Sequence, residues 1–125
     1  MPIIQVHPEY AAVLYKLNNG SKLLELGCGI GQNVRKLILY GAVARNISGA
    51  DLSTELIACG YDYFRDRDTL ISKFYNFDIL NPSLGGSFHE LEGSFDVICA
   101  NMFFHLWDLP RQIQACIHTI SLLKS

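Results

Sequence analysis

The segment spanning residues 23–32 constrains the fold of this chain most strongly. It reads LLELGCGIGQ, an apolar run that ends in an acidic residue and three alternating glycines. Glycine lacks a Cβ atom, so the backbone can take positive φ in a tight turn and a ligand can lie close against it. Residues 32–40 are predicted to form a helix that ends at Gly41, which puts the glycine loop at a helix N-terminus. The pattern predicts a buried strand that delivers a nucleotide-like cofactor to a helix.

Size, composition and charge narrow the class of protein. The sequence has 125 residues, of which 50% are hydrophobic and 18% are charged, which predicts one globular domain over residues 1–125. A net charge of -2 and a pI near 6.0 provide no basic surface for a phosphate backbone, so we do not expect nucleic acid as a partner. The sequence shows neither a signal-peptide pattern nor an apolar run of the roughly 20 residues that span a membrane. We expect a soluble, cytoplasmic protein with no membrane partner.

The cysteines and histidines do not form a recognisable metal or disulfide pattern. Cys28, Cys59, Cys99 and Cys116 are widely spaced and include no Cys-x-x-Cys pair. This spacing is typical of reduced thiols in a cytosolic protein. A zinc site needs His or Cys partners at short spacing, so no metal is expected.

Strand-like and helix-like segments alternate along the chain, which predicts a parallel sheet. The predicted strands are residues 22–26, 46–50, 74–77 and 95–100, and the predicted helices are residues 8–17, 32–40, 53–64 and 111–123. Ser53 is a favourable N-cap, and Asp108 with Pro110 opens the last helix. Along that helix four apolar residues recur at helical spacing and are predicted to form its buried face: Ile113, Ile117, Ile120 and Leu123.

Each predicted strand is followed by a polar or glycine-rich group. Glu25 and the glycine loop end the first strand, Asp51 the second, Asp78 the third and Asn101 the fourth. In an open parallel sheet a ligand binds beyond the carboxyl ends of the strands, where the strand order reverses. Asp51 follows the glycine loop at a spacing that suits a carboxylate accepting hydrogen bonds from two ribose hydroxyls. The strand ends therefore predict one shared cofactor site.

Two kinds of cofactor compete for this arrangement. Dinucleotide enzymes use Gly-x-Gly-x-x-Gly, because the third glycine lets the helix pack closely against the strand. In this chain the large side chain of Gln32 stands where that third glycine is needed. This disfavours NAD and FAD. The carboxylate of Glu25, just before the turn, suits a cationic or amino-bearing ligand better than a pyrophosphate.

Taken in order, these motifs resemble those of class I S-adenosylmethionine-dependent methyltransferases. The resemblance rests on ELGCGIG at residues 25–31, Asp51, Asp78 and FDVI at residues 95–98. More narrowly, His7-Pro8-x-Tyr10, GYDYFRDRD at residues 60–68 and FFHL at residues 103–106 resemble fungal methyltransferases that tailor terpenoid and polyketide natural products. The resemblance implies an α/β fold, in which a Rossmann-like parallel sheet of strand order 3-2-1-4 carries flanking helices. It also implies S-adenosylmethionine as cofactor and a small-molecule substrate.

The resemblance implies a role for each motif. Glu25 and the glycine loop would hold the methionine portion and its amino group, Asp51 the ribose hydroxyls, and Asp78 with Ile79 the adenine edge. The methionine end near the acceptor would contact Asn101 and Met102. The implied cofactor-binding residues are Glu25, Gly27, Cys28, Gly29, Gly31, Asp51, Leu52, Asp78, Ile79, Asn101 and Met102. The implied reaction is an in-line methyl transfer to a hydroxyl or carboxylate of a secondary metabolite, for which alignment supplies most of the acceleration.

His105 is the candidate general base, since it lies near the active-site end of a strand and a hydroxyl acceptor would benefit from one. The alternative is a histidine that binds a loop carbonyl, and a carboxylate acceptor needs no base. Tyr10, Phe103 and Phe104 are candidates for cation–π contact with a sulfonium or, alternatively, for a core or lid.

A charged run begins in the last turn of the third predicted helix and continues beyond it. We predict that it forms a solvated helix end with mutual ion pairs, and a functional role is the alternative. Its members are Asp62, Arg65, Asp66, Arg67 and Asp68.

The sequence ends where the resemblance places the last three strands of the sheet. The outer edge of the fourth strand is then expected to carry unpaired N–H and C=O groups. We expect either the last helix or a second copy of the chain, in a homodimer, to cover it. Three functions stay open: an active methyltransferase, a shortened relative that binds the cofactor or a natural-product intermediate in a regulatory or other catalytic role, and an unrelated Rossmann-type oxidoreductase, which Gln32 disfavours.

Overall fold

A computed structural model describes residues 8–84, 86–100 and 107–125 and shows a four-stranded parallel sheet with helices on both faces. The strands are β1 (Leu23–Leu26), β2 (Ile47–Asp51), β3 (Lys73–Asn76) and β4 (Val97–Cys99). The helices are α1 (Pro8–Asn18), α2 (Gln32–Leu39), α3 (Thr54–Phe64) and α4 (Leu109–Leu122). The strand order is β3-β2-β1-β4, so the predicted fold class and topology are confirmed.

β1 lies at the centre of the sheet, between β2 and β4. Leu24 lies opposite Ser48 on one side and Ile98 on the other. All neighbouring strands run parallel, so their carboxyl ends meet at a single edge of the sheet. The sequence places Glu25, Asp51 and Asp78 at or just beyond that edge.

The side chains of β1 supply both hydrophobic cores. Leu24 and Leu26 point into one core, which lies between the sheet and α4. Other members of this core are Phe77, Phe88, Ala115 and Leu122. Leu23 points to the opposite face, into a core with α1 and α2 that includes Leu17, Val34, Leu37 and Ile47. Tyr61 of α3 stacks edge-on against Phe74, which packs against this second core. A strand covered on both faces requires the continuous apolar run that β1 has.

The predicted N-caps of two helices are confirmed. The Ser53 hydroxyl accepts a hydrogen bond from the Leu56 amide at 3.1 Å, and the Asp108 carboxylate accepts one from the Arg111 amide at 3.1 Å. These side chains satisfy amide groups that have no partner within the helix. The local sequence therefore fixes where α3 and α4 begin.

The predicted orientation of α4 is wrong. Ile113, Ile117 and Ile120 are 52%, 61% and 65% exposed, while Ala115 and Leu122 on the opposite side are buried against the sheet. On that side, ring nitrogen Nδ1 of His118 bonds the Ile79 carbonyl and the Gln114 amide donates to the Leu80 carbonyl. Small Ala115 lets the helix approach closely, and these polar groups find partners there. We call the exposed residues Leu109, Ile113, Ile117 and Ile120 the α4 stripe.

The outer edge of β4 is partly covered. Leu123 forms a parallel bridge with Phe95, and the Lys124 amide donates to the Phe95 carbonyl at 2.8 Å. The Phe95 amide in turn donates to the Leu122 carbonyl at 3.1 Å. Phe95 therefore pairs with the segment after α4, and β4 itself is shorter than the predicted residues 95–100. The Asp96 carboxylate binds the Lys22 amide and the Lys124 ammonium, which is a structural role.

Truncation of Leu122 and of Ile117 tests the orientation of α4. We expect Leu122→Ala to lower the free energy of unfolding by about 2–5 kcal/mol, because it leaves a cavity in a closed core. Ile117→Ala should change it by no more than about 0.5 kcal/mol, since that side chain lies at the surface. Urea unfolding in dilute solution measures both. A larger loss in Ile117→Ala than in Leu122→Ala would show that the helix is turned the other way.

Candidate cofactor-binding site

The glycine loop leaves β1 with a backbone that only glycine adopts easily. Gly27, Gly29 and Gly31 have φ values of 66°, 57° and 79°, in the left-handed region that strains other residues. A Cβ atom on Gly29 would meet nothing within 4 Å, so the space beside the loop is open to a ligand. A Cβ atom on Gly31 would lie 2.9 Å from the ring of Phe74. Gly29 therefore allows access to the backbone, and Gly31 allows the loop to pack.

Asp51 joins the glycine loop to the end of β2. Its Oδ2 accepts a hydrogen bond from the Gly29 amide at 2.8 Å, and its Oδ1 accepts one from the Ser53 amide at 2.8 Å. The Cys28 amide also donates to the Ala50 carbonyl at 3.0 Å. An ionised carboxylate has about four lone-pair positions, so both oxygens keep the capacity to accept a further hydroxyl. The structure brings Asp51 and the glycine loop together.

Glu25 is a buried carboxyl group beside this loop. It is only 7% exposed, and its Oε1 accepts a hydrogen bond from the Asn33 side chain at 3.3 Å. Burial raises the pKa of Glu25 to about 7, against the opposing effect of the Asn33 hydrogen bond. A nearby positive charge would favour the ionised form. The sequence analysis did not identify Asn33 as a partner of Glu25. Its position in the first helical turn after the glycine loop was the one sequence signal for this contact.

One buried thiol, Cys28, and one half-buried thiol, Cys99, lie near Glu25. Burial raises the pKa of the Cys28 thiol to about 12, and the Asp51 and Glu25 carboxylates add to this effect. Burial and Glu25 also raise the pKa of Cys99. Because only a thiolate is strongly nucleophilic, both groups are inert near neutral pH. Cys28 contributes to the loop through its backbone, while its side chain fills the interior.

Asn76 connects the ends of β2 and β3. Its side-chain amide donates to the carbonyls of Asp51 and Leu52 at 3.0 and 2.8 Å. Sequence reasoning missed this residue, which lies inside a predicted strand. Asp78 follows, and its Oδ1 accepts a hydrogen bond from the Leu80 amide at 2.9 Å. Asn76 therefore fixes the position of the third strand end relative to the second.

Leu52 and Ile79 are placed differently. The Leu52 side chain is exposed beside Asp51, where it offers an apolar surface to a ligand. The Ile79 side chain is buried in the core beneath α4, and its carbonyl bonds His118. The side chain of Ile79 is therefore a core residue.

Several predicted residues lie outside the described ranges. These are Asn101, Met102, Phe103, Phe104 and His105, together with the side chain of Tyr10. Within residues 8–84, 86–100 and 107–125, no three His, Cys, Asp or Glu side chains group as a metal site. No helix in this described part is both long and apolar enough to cross a bilayer.

The charged segment after α3 is only partly the predicted solvated helix end. Asp62 and Arg67 form an ion pair at 3.5 Å with side chains that are 80% and 56% exposed. Asp66 instead binds Arg35 of α2 at 2.6 Å, with side chains that are 19% and 10% exposed. The prediction is wrong for Asp66, because its partner lies 31 residues away on another helix.

Known proteins with similar sequences are methyltransferases. Residues 24–125 match the model of a methyltransferase domain family. The asnovolin E/chermesin D methyltransferase nvfJ of Aspergillus novofumigatus is 38% identical over 121 residues, which cover 97% of this chain and 43% of that protein. O-methyltransferase atr3 of Stereocaulon alpinum is 39% identical over 125 residues, which cover 97% of this chain and 35% of that protein. The chain thus spans less than half the length of these relatives.

Solved structures share the fold. A carbon methyltransferase, CurJ, matches with a TM-score of 0.64 at 24% identity, over 84% of this chain and 27% of that chain. The [4+2]-cyclase SpnF matches with a TM-score of 0.64 at 20% identity, over 93% of this chain and 40% of that chain. At these identities the likeness shows the Rossmann-like fold alone. The family match over residues 24–125 goes further, and the chain belongs to the S-adenosylmethionine-dependent methyltransferase domain family, with fungal methyltransferases among its relatives.

Proposed function

We propose that this chain binds S-adenosylmethionine at the carboxyl edge of its sheet and serves methyl transfer to a hydroxyl or carboxylate of a small secondary metabolite. The observation that carries the proposal is the junction of Gly29 and Asp51. There, an open backbone loop and a carboxylate with spare acceptor positions lie within one hydrogen bond of each other. The names of the fungal relatives support the substrate class.

The residues of the site fit this cofactor in three respects. The open space at Gly29 admits a ligand against the backbone. Asp51 can accept ribose hydroxyls while it holds the loop, and exposed Leu52 provides an apolar contact. Among the described residues, Asn33 alone donates a hydrogen bond to the buried Glu25 side chain, and an ammonium group would compensate the desolvation of this carboxylate.

The proposed roles follow the positions of these residues. Glu25 and the glycine loop hold the amino group and the methionine portion, and Asp51 binds the ribose. Asp78 and the backbone near Ile79 face the adenine edge. Asn101 and Met102 at the methionine end, and His105 as general base for a hydroxyl acceptor, stay predictions.

Catalysis in this proposal depends on alignment. The bound cofactor supplies an activated methyl group, and displacement requires the acceptor in line with it. The residues of the chain orient the cofactor from one side through hydrogen bonds at Gly29, Asp51 and Glu25. Cys28 and Cys99 stay protonated, so these neighbouring thiols do not compete as acceptors.

The fold alone is compatible with a second function. SpnF shares the fold and is named a cyclase, so the fold is also compatible with a chain that binds cofactor or a natural-product intermediate without methylating it. Cofactor binding is common to both functions. Transfer of labelled methyl from S-adenosylmethionine to a metabolite extract distinguishes them, since a label that stays with the cofactor supports the second.

Removal of the Asp51 carboxylate tests the cofactor site. We expect Asp51→Ala to weaken binding of S-adenosylhomocysteine by about 1–3 kcal/mol, which is roughly 5- to 150-fold in dissociation constant. Calorimetric titration measures this, with Asp62→Ala as the control because that carboxylate is exposed on α3. The unmodified chain should prefer S-adenosylmethionine and S-adenosylhomocysteine to NAD. A preference for NAD, or equal affinity of the two variants, contradicts the assignment.

The pKa of Glu25 predicts a pH dependence. Because this pKa lies near 7, above the ordinary value of 4.5, the folded chain takes up a proton more readily than the unfolded chain. Protonation of Glu25 therefore adds to the free energy of unfolding below pH 4.5, and this contribution is lost as the pH rises through about 7. A ligand ammonium needs the ionised form, so affinity for S-adenosylhomocysteine should rise up to about tenfold per pH unit towards pH 7 and then level off.

Glu25→Gln provides the matching measurement. We expect its affinity to be lower at pH 8 and to lose the rise between pH 6 and pH 7. Glu55→Gln, an exposed residue in the first turn of α3, should behave as the unmodified chain. A rise that persists in Glu25→Gln would assign the titration to another group.

We further infer that two copies of the chain associate through the uncovered part of the β4 edge and the α4 stripe. The stripe exposes four large aliphatic side chains in a row, and such contiguous apolar surface is typical of an interface. Within the described ranges, Leu123 covers only the start of the β4 edge. The β4 edge and the α4 stripe belong to consecutive elements of the chain. One self-complementary interface between two copies can therefore bury both.

Light scattering after size-exclusion chromatography tests this association. We expect the mass to rise from monomer to dimer with concentration, and Ile117→Glu to abolish the rise by placing a charge in the interface. Leu39→Glu, at an equally exposed leucine on α2, is the control and should still associate. A monomer at every concentration rules out the dimer.

A further inference from the structure

Arg35 contacts the glycine loop and the segment after α3 at the same time. Its Nε and Nη2 donate to the two oxygens of Asp66 at 2.6 and 2.9 Å. Its Nη1 donates to the Ile30 carbonyl at 2.6 Å and to the Gly31 carbonyl at 3.3 Å. We call Arg35 and Asp66, with the two carbonyls to which Arg35 donates, the Arg35 clamp.

The guanidinium group of the clamp lies among aromatic rings. The guanidinium carbon of Arg35 lies 4.4 Å from the ring centre of Phe64, 5.5 Å from that of Phe74 and 5.6 Å from that of Tyr61. The planar guanidinium suits both this stacking and the bidentate bond to a carboxylate. The hydrogen bond and charge of Arg35 also hold the pKa of Asp66 below its ordinary value. Both groups therefore stay charged and fixed in position near neutral pH.

α3 contacts the same point of the loop from the other side. A Cβ atom on Gly60 would lie 2.0 Å from the Ile30 oxygen, so only glycine allows this approach. The Ile30 carbonyl is thereby held between Arg35 and the backbone of α3. The loop is fixed at two places, at Gly29 by Asp51 and at Ile30 by the clamp.

We propose that Arg35 and Asp66 are positioning residues for the cofactor, which act by holding the Ile30–Gly31 half of the glycine loop in its binding conformation. The inference rests on the proposed function. Glycine-rich backbone has many accessible conformations, and a loop with three left-handed glycines needs external restraint to present one. The Asp51 end of the loop faces the ribose, so the clamp should control the half that receives the methionine portion.

A purely structural role is the alternative. In that case the ion pair only fastens α2 to the segment after α3, and its loss weakens all ligands alike through the stability of the fold. A positioning role affects ligands that reach the Ile30–Gly31 half and spares those that do not. S-adenosylhomocysteine carries the amino-acid portion, whereas 5′-methylthioadenosine lacks it, so the ratio of their affinities separates the two roles.

The experiment compares matched ion-pair variants. Arg35→Lys and Asp66→Asn disrupt the clamp, while Arg67→Lys and Asp62→Asn alter the exposed pair on the neighbouring surface. Dissociation constants for both ligands are measured by calorimetry at a temperature where thermal melts show every variant folded. We expect Arg35→Lys to weaken S-adenosylhomocysteine about tenfold, because lysine cannot bond Asp66 and Ile30 in this geometry. Affinity for 5′-methylthioadenosine should change less than about twofold, and the control variants should match the unmodified chain.

The outcomes distinguish this inference from the proposed function. If the unmodified chain binds neither ligand, the proposed function fails. If it binds both and Arg35→Lys leaves their affinity ratio unchanged, the clamp is structural only and the inference is overturned. Should Arg35→Lys not fold, Asp66→Asn gives the same comparison with the arginine retained, and an unchanged ratio there overturns the inference as well.

Discussion

Burial of β1 on both faces is the constraint on which the rest of this structure depends. Its residues alternate between two cores, so neither face can be left open to water without exposing leucine side chains. The helices on each side, and the neighbouring strands β2 and β4, are arranged around this requirement. The glycine loop leaves from the end of the same strand, so the buried centre of the sheet sets the position of the candidate site.

The acidic residues at the strand ends have different physical roles. Asp51 is engaged by two backbone amides and shapes the loop whether or not a ligand is bound. Glu25 is the opposite case, because burial opposes its ionisation and, within the described part of the chain, only the hydrogen bond from Asn33 compensates. Asp51 thus organises the loop through its hydrogen bonds, while burial of Glu25 disfavours the charge that the proposed ligand ammonium would stabilise. Buried groups of the second kind are typical of functional sites.

Local patterns in the sequence were sufficient for a parallel sheet, the glycine loop and the caps at Ser53 and Asp108, while the strand order came from the family resemblance. They were insufficient for α4, since periodicity identifies a row of isoleucines but not whether that row faces the sheet. The polar partners of Gln114 and His118 decide the orientation, and they lie on a distant loop. The Arg35 to Asp66 pair was missed for the same reason, because it joins residues 31 positions apart. Ring packing around Arg35 depends on three elements at once and leaves no local sequence signal.

The central place of β1 also affects how the chain is made. The hydrogen bond between Lys22 and Asp96 joins residues 74 positions apart. The edge of β1 that pairs with β4 therefore stays unpaired while the intervening segment is synthesised. At about 5–20 residues per second on a ribosome, this delay is roughly 4–15 s. During that time an apolar strand with an unpaired edge is accessible to chaperones and to other nascent chains. Slower translation prolongs this exposure, so the yield of native protein in a cell depends on how β1 is protected before β4 emerges.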